Sequence, residues 1–504
     1  LWCVPYLHSS MEDYRYWQRI DASPLIRALT FRPPPSSHTA GLTHLASADD
    51  EELSEDEEQA AIAALDDSVD DHRPRQFIDP PLGDQAAKAE KSAKPKVAQL
   101  SGATLPQAPT EVQEDKVKPA ARPTALQITS STIGPLKAHI EHPQGLHSFW
   151  KAIEALATDA SQLVRVRHYG DSHLANDGIS LVLRTLLQRR FGDGGHGFSS
   201  ASARTKWYRR KGVKWSSNKA WRTKTYLGGG QRDRAYGYGG VVSLGRAGAQ
   251  VRVETTKSGV GSAVNRFRLY WRAVAKASVD LTIDGVKQRV EIGNDKLDHT
   301  RVWQLNDGPH RVTLRVIKGR TKIYGLGFER DRGLIYDSLG ITGARARRWL
   351  KVDTNHLQEQ FVQRPAQLVV INYGGNSRGD RISPQGYRRT FGETIEKLRG
   401  SSAPACLVLS PTDHGVRNKG KIISDPQTVK LIAWQRKVAI DQGCAFLDTR
   451  ALMGGAGSMG RWVKQGLGWS DYSHLTAKGQ RRLGRSIYGA LMEALQQRLT
   501  QERP

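Results

Sequence analysis

The chain has 504 residues, more than one ordinary domain, so two or three units are expected. Its mean hydropathy is −0.53 and 7% of its residues are aromatic, too lean a composition for a chain compact along its whole length. Lys and Arg outnumber Asp and Glu by 75 to 50, a net charge of +25 that favours an anionic partner, yet no RRM, KH, zinc-finger or helix-turn-helix pattern accompanies it, so nucleic acid is not the expected one.

Residues 1–32 form an N-terminal segment. Its apolar start, Leu1 to Leu7, is far shorter than the about 20 residues that span a bilayer. It reads equally as the remnant of a membrane anchor and as a hydrophobic turn. Residues 33–126 read as a disordered linker: a proline run at 33–35, acidic blocks at Asp49–Glu58 and Asp66–Asp71, then AKAEKSAKPK. Such sequence buries too little apolar surface to offset chain entropy. From Leu163 an α/β rhythm begins, with the β-rich run Val164–Gly170 and a helix over Ile179–Arg190 whose basic last turn suits the helix dipole.

The rhythm then stops. Between residues 198 and 332, QVRVETT, NRFRLYWRA, SVDLTIDG, HRVTLRVI and TKIYGLGFE alternate with Gly, Asn and Asp turns, the pattern of an inserted β-sandwich. It resumes at Gly333–Ala344, with a helix expected to about Gln360, strand AQLVVINYGG, helix Gly386–Arg399, strand ACLVLSPTD, helix Gln427–Gln442, strand CAFLDT and a last helix Ala477–Leu499. Near-continuous apolar strands separated by helices predict a parallel sheet covered on both faces, formed by 127–197 and 333–504. The three cysteines, Cys3, Cys406 and Cys444, are too few for a disulfide framework and lack metal-ligand spacing. Cys406 and Cys444 begin core strands and read as buried free thiols, with a single bridge left open.

In such a sheet chemistry gathers beyond the carboxyl ends of the strands. Ser172 follows the first strand in HYGDSHLAND, where its hydroxyl is exposed, although a serine there is also an ordinary helix cap. Asp471 and His474 lie in GWSDYSHLTAKGQ, a spacing that sets a carboxylate beside one imidazole nitrogen and frees the other. YGGNS, with Asn376, and ITGA, with Gly343, follow two further strands and offer N–H donors to an oxyanion. Each has a bland explanation alone; their order at successive strand ends does not.

Gly170-Asp171-Ser172, Gly343, Gly374-Gly375-Asn376 and Asp471-x-x-His474 together resemble the four blocks of the SGNH (GDSL-like) hydrolases. The resemblance implies a three-layer α/β/α domain with a five-stranded parallel sheet. It also implies Ser172 as nucleophile, His474 as base, Asp471 as its orienting partner, and an oxyanion hole of Ser172, Gly343 and Asn376. No metal or cofactor is implied. Ser377 departs from the family, where aspartate usually follows the asparagine.

A narrower resemblance is to the peptidoglycan O-acetylesterases of Gram-negative bacteria. GDSH, FGDGGHGF (Phe191–Phe198), a β-rich insertion and IYDSLGITGA carry it. It implies a serine esterase of the periplasm or cell envelope acting on an acetylated glycan polymer, with a carbohydrate-binding-like insert. A glycan O-acetyltransferase and a glycan-binding protein with a non-productive site remain as alternatives. Within the insert Trp207, Trp215 and Trp221 lie among many Lys and Arg, and are candidates for stacking on sugar rings, with the sandwich core as the other destination. His173, His196 and His414 read as structural histidines.

Overall fold

The computed structural model describes Leu126, Ile128, Ile133 and residues 136–501 except 204–207 and 229. The N-terminal segment, the linker but for Leu126, which is buried in the core, and Trp207 lie outside the described residues.

Helix α1 (His147–Thr158) was not expected from the sequence, although Phe149, Trp150, Ile153 and Leu156 give it one apolar face, all buried. Strand β1 (Leu163–Gly170) is buried at every residue but the first. Val164 and Val166 pack on one side of it and Tyr169 on the other, the period of two that a doubly covered strand requires. A short helix α2 (Ser172–Ala175) and α3 (Gly178–Phe191) follow.

The insert starts with β2 (Gly197–Ser199), β3 (Val213–Ser217), β4 (Trp221–Thr225), β5 (Val241–Arg246) and β6 (Gln250–Thr255). It continues through β7 (Val264–Arg272), β8 (Ala277–Ile283), β9 (Val286–Ile292), β10 (Asp298–Gly308), β11 (Arg311–Lys318) and β12 (Arg320–Glu329). These make two antiparallel sheets: β10-β7-β12-β5-β4 with β2 on the side of β12, and β3-β6-β11-β8-β9. Val251, Val253, Leu269, Leu281, Leu314 and Phe328 are buried between them, so the insert is a β-sandwich as expected. Strand β11 alternates buried and open residues, whereas β12 is buried from its second residue onward. One face of β12 lines the sandwich core through Ile323, and Tyr324 on the other joins Tyr169, Tyr238, Leu339, Trp349 and Phe361 in an aromatic wall shared with the α/β domain.

Strand β13 (Gly333–Gly340) returns the chain to the parallel sheet. The single helix expected to Gln360 is instead a 3-10 turn, Ala346–Lys351, and α4 (Thr354–Gln363), because Val352 and Asp353 are extended and the Asp353 side chain caps α4 by accepting from His356 N–H. Then come β14 (Leu368–Asn372), α5 (Pro384–Arg399), β15 (Ala405–Leu409), the hairpin β16 (Gly415–Asn418) and β17 (Lys421–Ser424), and α6 (Pro426–Asp441). Strand β18 (Ala445–Leu447), α7 (Thr449–Leu452), α8 (Ser458–Lys464) and α9 (Ala477–Gln501) complete the domain.

The sheet order is β13-β1-β14-β15-β18, all parallel. The order reverses between β1 and β14, which opens a crevice beyond their carboxyl ends. Two interactions lock this frame. Cys406 and Cys444 form a disulfide with Cα atoms 4.7 Å apart, correcting the reading as free thiols. The pairing follows from register: Leu407 faces Ala445, so one step back the two cysteines meet. Closing a 38-residue separation constrains the unfolded chain by about 4 kcal/mol. Beneath the aromatic wall, Arg364 is wholly buried between Glu329 of β12 and Asp337 of β13, and Arg165 also reaches Glu329.

Candidate active site

Three strand ends lie level. Gly170 of β1 faces Gly340 of β13 on one side and Asn372 of β14 on the other, so the loops after these strands emerge side by side at the crevice. A Cβ on Gly340 would sit 2.6 Å from the backbone of Leu174 and Ala175, so only glycine lets α2 lie across the strand ends. That placement brings Ser172 over the switch point. Asp171, not Ser172, caps α2, accepting from His173 N–H, which leaves the Ser172 hydroxyl uncommitted to the helix.

The hydroxyl instead meets His474. Ser172 Oγ lies 3.1 Å from His474 Nε2, and His474 Nδ1 lies 2.7 Å from Asp471 Oδ2. The other Asp471 oxygen accepts the N–H groups of Ser473 and His474, which fixes the turn. Burial pushes the Asp471 carboxyl up, but the His474 ring and these two N–H groups outweigh it and hold it at about 2. Trp469 N–H donates to His474 C=O and Gly415 N–H to Tyr472 C=O, so the loop is tied to itself and to the β16–β17 hairpin. The His474 side chain is 37% exposed, open to a substrate from the crevice. A serine hydroxyl, a base and an orienting carboxylate in this sequence of contacts can perform nucleophilic attack on an acyl carbon.

The donors predicted for an oxyanion occupy the neighbouring loops. Gly343 has φ +78°, and no atom lies within 4 Å of where its Cβ would be, so its backbone borders open space. Ile341 N–H donates to Gly170 C=O and ties this loop to β1. Asn376 Nδ2 donates to Ala344 C=O at 3.2 Å, which joins the Gly343 and Asn376 loops and leaves its second amide hydrogen for another acceptor. The structure thus brings together Ser172, Asp471, His474, Gly343 and Asn376 from four separate segments.

It separates the tryptophans from them in role. Trp221 exposes 8% of its surface and belongs to the sandwich core, so the reading of Trp221 as a sugar platform is corrected: no ring face is open. Trp215 is half-buried against the same core, donates its indole N–H to Ser200 C=O and packs edge-on to Tyr208. Trp207 lies outside the described residues.

Two residues at the site were not singled out as functional. His173 stacks on the His474 ring, with centroids 5.6 Å apart and planes at 23°. Arg378 follows Asn376 by two residues, donates to Gly375 C=O at 2.9 Å and pairs with Asp425 at 3.3 Å, bracing the Asn376 turn. Its position two residues beyond a motif asparagine was the available signal. His414 is half-buried; burial first, then the charge of Arg378, lowers its pKa to about 4, so it stands neutral near the triad. His196 is buried and remote from these contacts, beside Arg210.

Comparison with known proteins bears on this arrangement. Residues 323–482 match the model of the GDSL-like lipase/acylhydrolase family. No curated protein matches the chain. A solved peptidoglycan O-acetylesterase superposes with a TM-score of 0.60 and 23% identity over 69% of this chain and 96% of that one. A family two carbohydrate esterase from Cellvibrio japonicus aligns over 56% of this chain and 98% of its own, at 10% identity and a TM-score of 0.24.

Proposed function

We propose that this chain, a carboxylic ester hydrolase carrying a GDSL-like lipase/acylhydrolase domain, removes O-acetyl groups from a cell-envelope glycan, with O-acetylated peptidoglycan as the substrate class. The observation that carries the reading is the hydrogen-bonded chain Ser172–His474–Asp471 at the sheet's switch point. The fold shared with a peptidoglycan O-acetylesterase over 96% of that protein supports the choice of glycan.

In this reading His474 Nε2 takes the proton from Ser172 Oγ as the oxygen attacks the acetyl carbon. The negative charge on the carbonyl oxygen is met by the N–H groups of Ser172 and Gly343 and by Asn376 Nδ2. Collapse breaks the ester bond, and His474 returns its proton to the departing sugar oxygen. Water, deprotonated by the same ring, then attacks the acetylated serine, and acetate leaves as His474 returns that proton to Ser172 Oγ. Asp471, charged throughout, holds the ring with Nε2 towards the hydroxyl.

The fully buried Cys406–Cys444 disulfide supports an extracytoplasmic setting, since such bonds persist in oxidising compartments. Among the described residues no helix is long and apolar enough to cross a membrane, so membrane attachment of the N-terminal segment stays part of the proposal. Residues 198–332 would act as the glycan-directing unit, through charge rather than through the tryptophans. On the open face of the second sheet, strand register lines up Lys214, Arg252, Arg311 and Arg315, with Glu254 beside Lys214 and Arg311.

The test is acetate release from O-acetylated peptidoglycan and from p-nitrophenyl acetate. Ser172→Ala is expected to abolish both, together with labelling by a fluorophosphonate, and to leave the melting temperature within about 2 °C, because an open hydroxyl contributes little stability. Undiminished labelling of the variant would refute the assignment of the nucleophile, and an active wild type that leaves acetylated peptidoglycan untouched would refute the substrate.

A further inference from the structure

The ring stacked on His474 has a role of its own. His173 is almost wholly buried, with 11% of its side chain exposed, and both of its nitrogens face oxygens. Nδ1 lies 3.3 Å from the Asp171 carboxylate. Nε2 lies 3.1 Å from the Ser473 carbonyl and 3.1 Å from Thr412 Oγ1. A carbonyl oxygen can only accept, so a bond to Ser473 needs a proton on Nε2, with the Thr412 hydroxyl turned to accept beside it. The carboxylate can only accept as well, so Nδ1 carries the other. The ring satisfying both partners is an imidazolium.

We propose that His173 is a positioning residue for the hydrolytic reaction: held as an imidazolium between Asp171 and the Ser473 carbonyl, it fixes the His474 ring by stacking and discourages protonation of that base. The inference rests on the reading of Ser172 and His474 as nucleophile and base. The buried environment alone would lower the pKa of His173, but its bond to Asp171, the charge of Asp171, the Ser473 carbonyl and the charge of Asp471 raise it overall. The fixing is direct. His173 grips the carbonyl of the residue before His474, while Thr412, from the loop after β15, closes the far side.

The electrostatic part follows from what faces the base. From its own loop comes the anionic Asp471, 2.7 Å from Nδ1. From α2 come the neutral Ser172 and the cationic His173. From the turn after β14, Arg378 acts on Asp171 and Asp471, and from the loop after β15 His414 is neutral above about 4. The stacked imidazolium is thus the cation in direct contact with the His474 ring. Its charge is set against that of Asp471 across the His474 ring.

The experiment compares the pH dependence of kcat/KM on p-nitrophenyl acetate for wild type and His173→Gln, with Ser172→Ala beside them. Loss of the cation at 5.6 Å is expected to move the acid limb up by about half to one pH unit, with up to a tenfold fall in plateau kcat. An unmoved limb with kcat reduced equally at every pH makes His173 structural and overturns the proposal. If His173→Gln fails to fold, histidine 15N spectra of the wild-type chain decide. Two protonated nitrogens on the His173 ring at pH 7 support the proposal, and a neutral ring rejects it. Full activity in Ser172→Ala rejects the site reading and this inference together, whereas an inactive Ser172→Ala with an unmoved limb in His173→Gln rejects the inference alone.

Discussion

At the scale of single residues, the triad carboxylate makes a prediction with a definite sign. Asp471 is held at about 2, below the ordinary value near 4 of an unfolded aspartate. A depressed carboxyl contributes stability that is present above the unfolded value and lost as pH falls through the folded one. The melting temperature of wild type should therefore exceed that of Asp471→Asn at pH 5 to 7, and the gap should close between about pH 4 and pH 2. Over the same upper range Asp471→Asn should lower kcat by about 10³–10⁴, because the ring loses the partner that sets its tautomer. A gap that is constant down to pH 2 would mean that the carboxylate is not stabilised in the folded chain.

The elements were legible where one physical rule dominates. Apolar runs such as Leu368–Asn372 and Ala405–Leu409 read as strands because both faces are covered, and the motif residues fell at strand ends because a parallel sheet leaves its chemistry nowhere else. What was not legible depended on a neighbour distant in sequence. The disulfide needs β15 and β18 to be adjacent, which strand order alone decides. Trp221 sits on an edge strand whose open face could have carried it, yet its ring turns inward against Gly245, a closeness the sequence does not encode. His173 needed the Ser473 carbonyl, 300 residues away, before it had a role. Arg165 of β1 and Asp337 of β13 also look out of place in a core strand until Glu329 and Arg364 arrive to meet them, while the Arg167 guanidinium lies over the Phe361 ring. That cluster is the element-scale prediction. Arg364→Met should leave Glu329 and Asp337 buried with less compensation and cost about 3–5 kcal/mol, read as a lower denaturation midpoint. Arg364→Met combined with Asp337→Asn should restore part of the loss, because Arg165 and Arg268 still meet Glu329 and the amide still meets Phe198 N–H and the Tyr238 hydroxyl. A single variant as stable as wild type would show that water, rather than Arg364, satisfies the two acids.

At the scale of the molecule, the net charge of +25 finds an outlet on the open sheet face of the insert. Arg252 lies opposite Thr313 and Ser216, with no acid directly across the ladder, and Arg315 lies opposite Gln250 and Asp280, the latter already paired with Lys287 and Arg289. Arg252→Glu combined with Arg315→Glu should lower turnover of acetylated peptidoglycan several-fold and leave p-nitrophenyl acetate turnover unchanged. Added salt should narrow the difference, since exposed charges are screened over about 8 Å at physiological ionic strength. Equal turnover of the polymer by both proteins would remove this face from substrate handling.

Strand β12, buried along both faces, bears on how such a gene can change over generations. A cassette can be traded between genes only if its seam is polar on each side. Here the seam is the wall of Tyr169, Tyr238, Tyr324, Leu339, Trp349 and Phe361, with Glu329 and Asp337 clasping one arginine. Excision of 198–332 would open that wall to water, and a foreign insert would have to reproduce half of it. The two parts of this chain are therefore bound to be inherited together, and the substitutions each tolerates are restricted by the other.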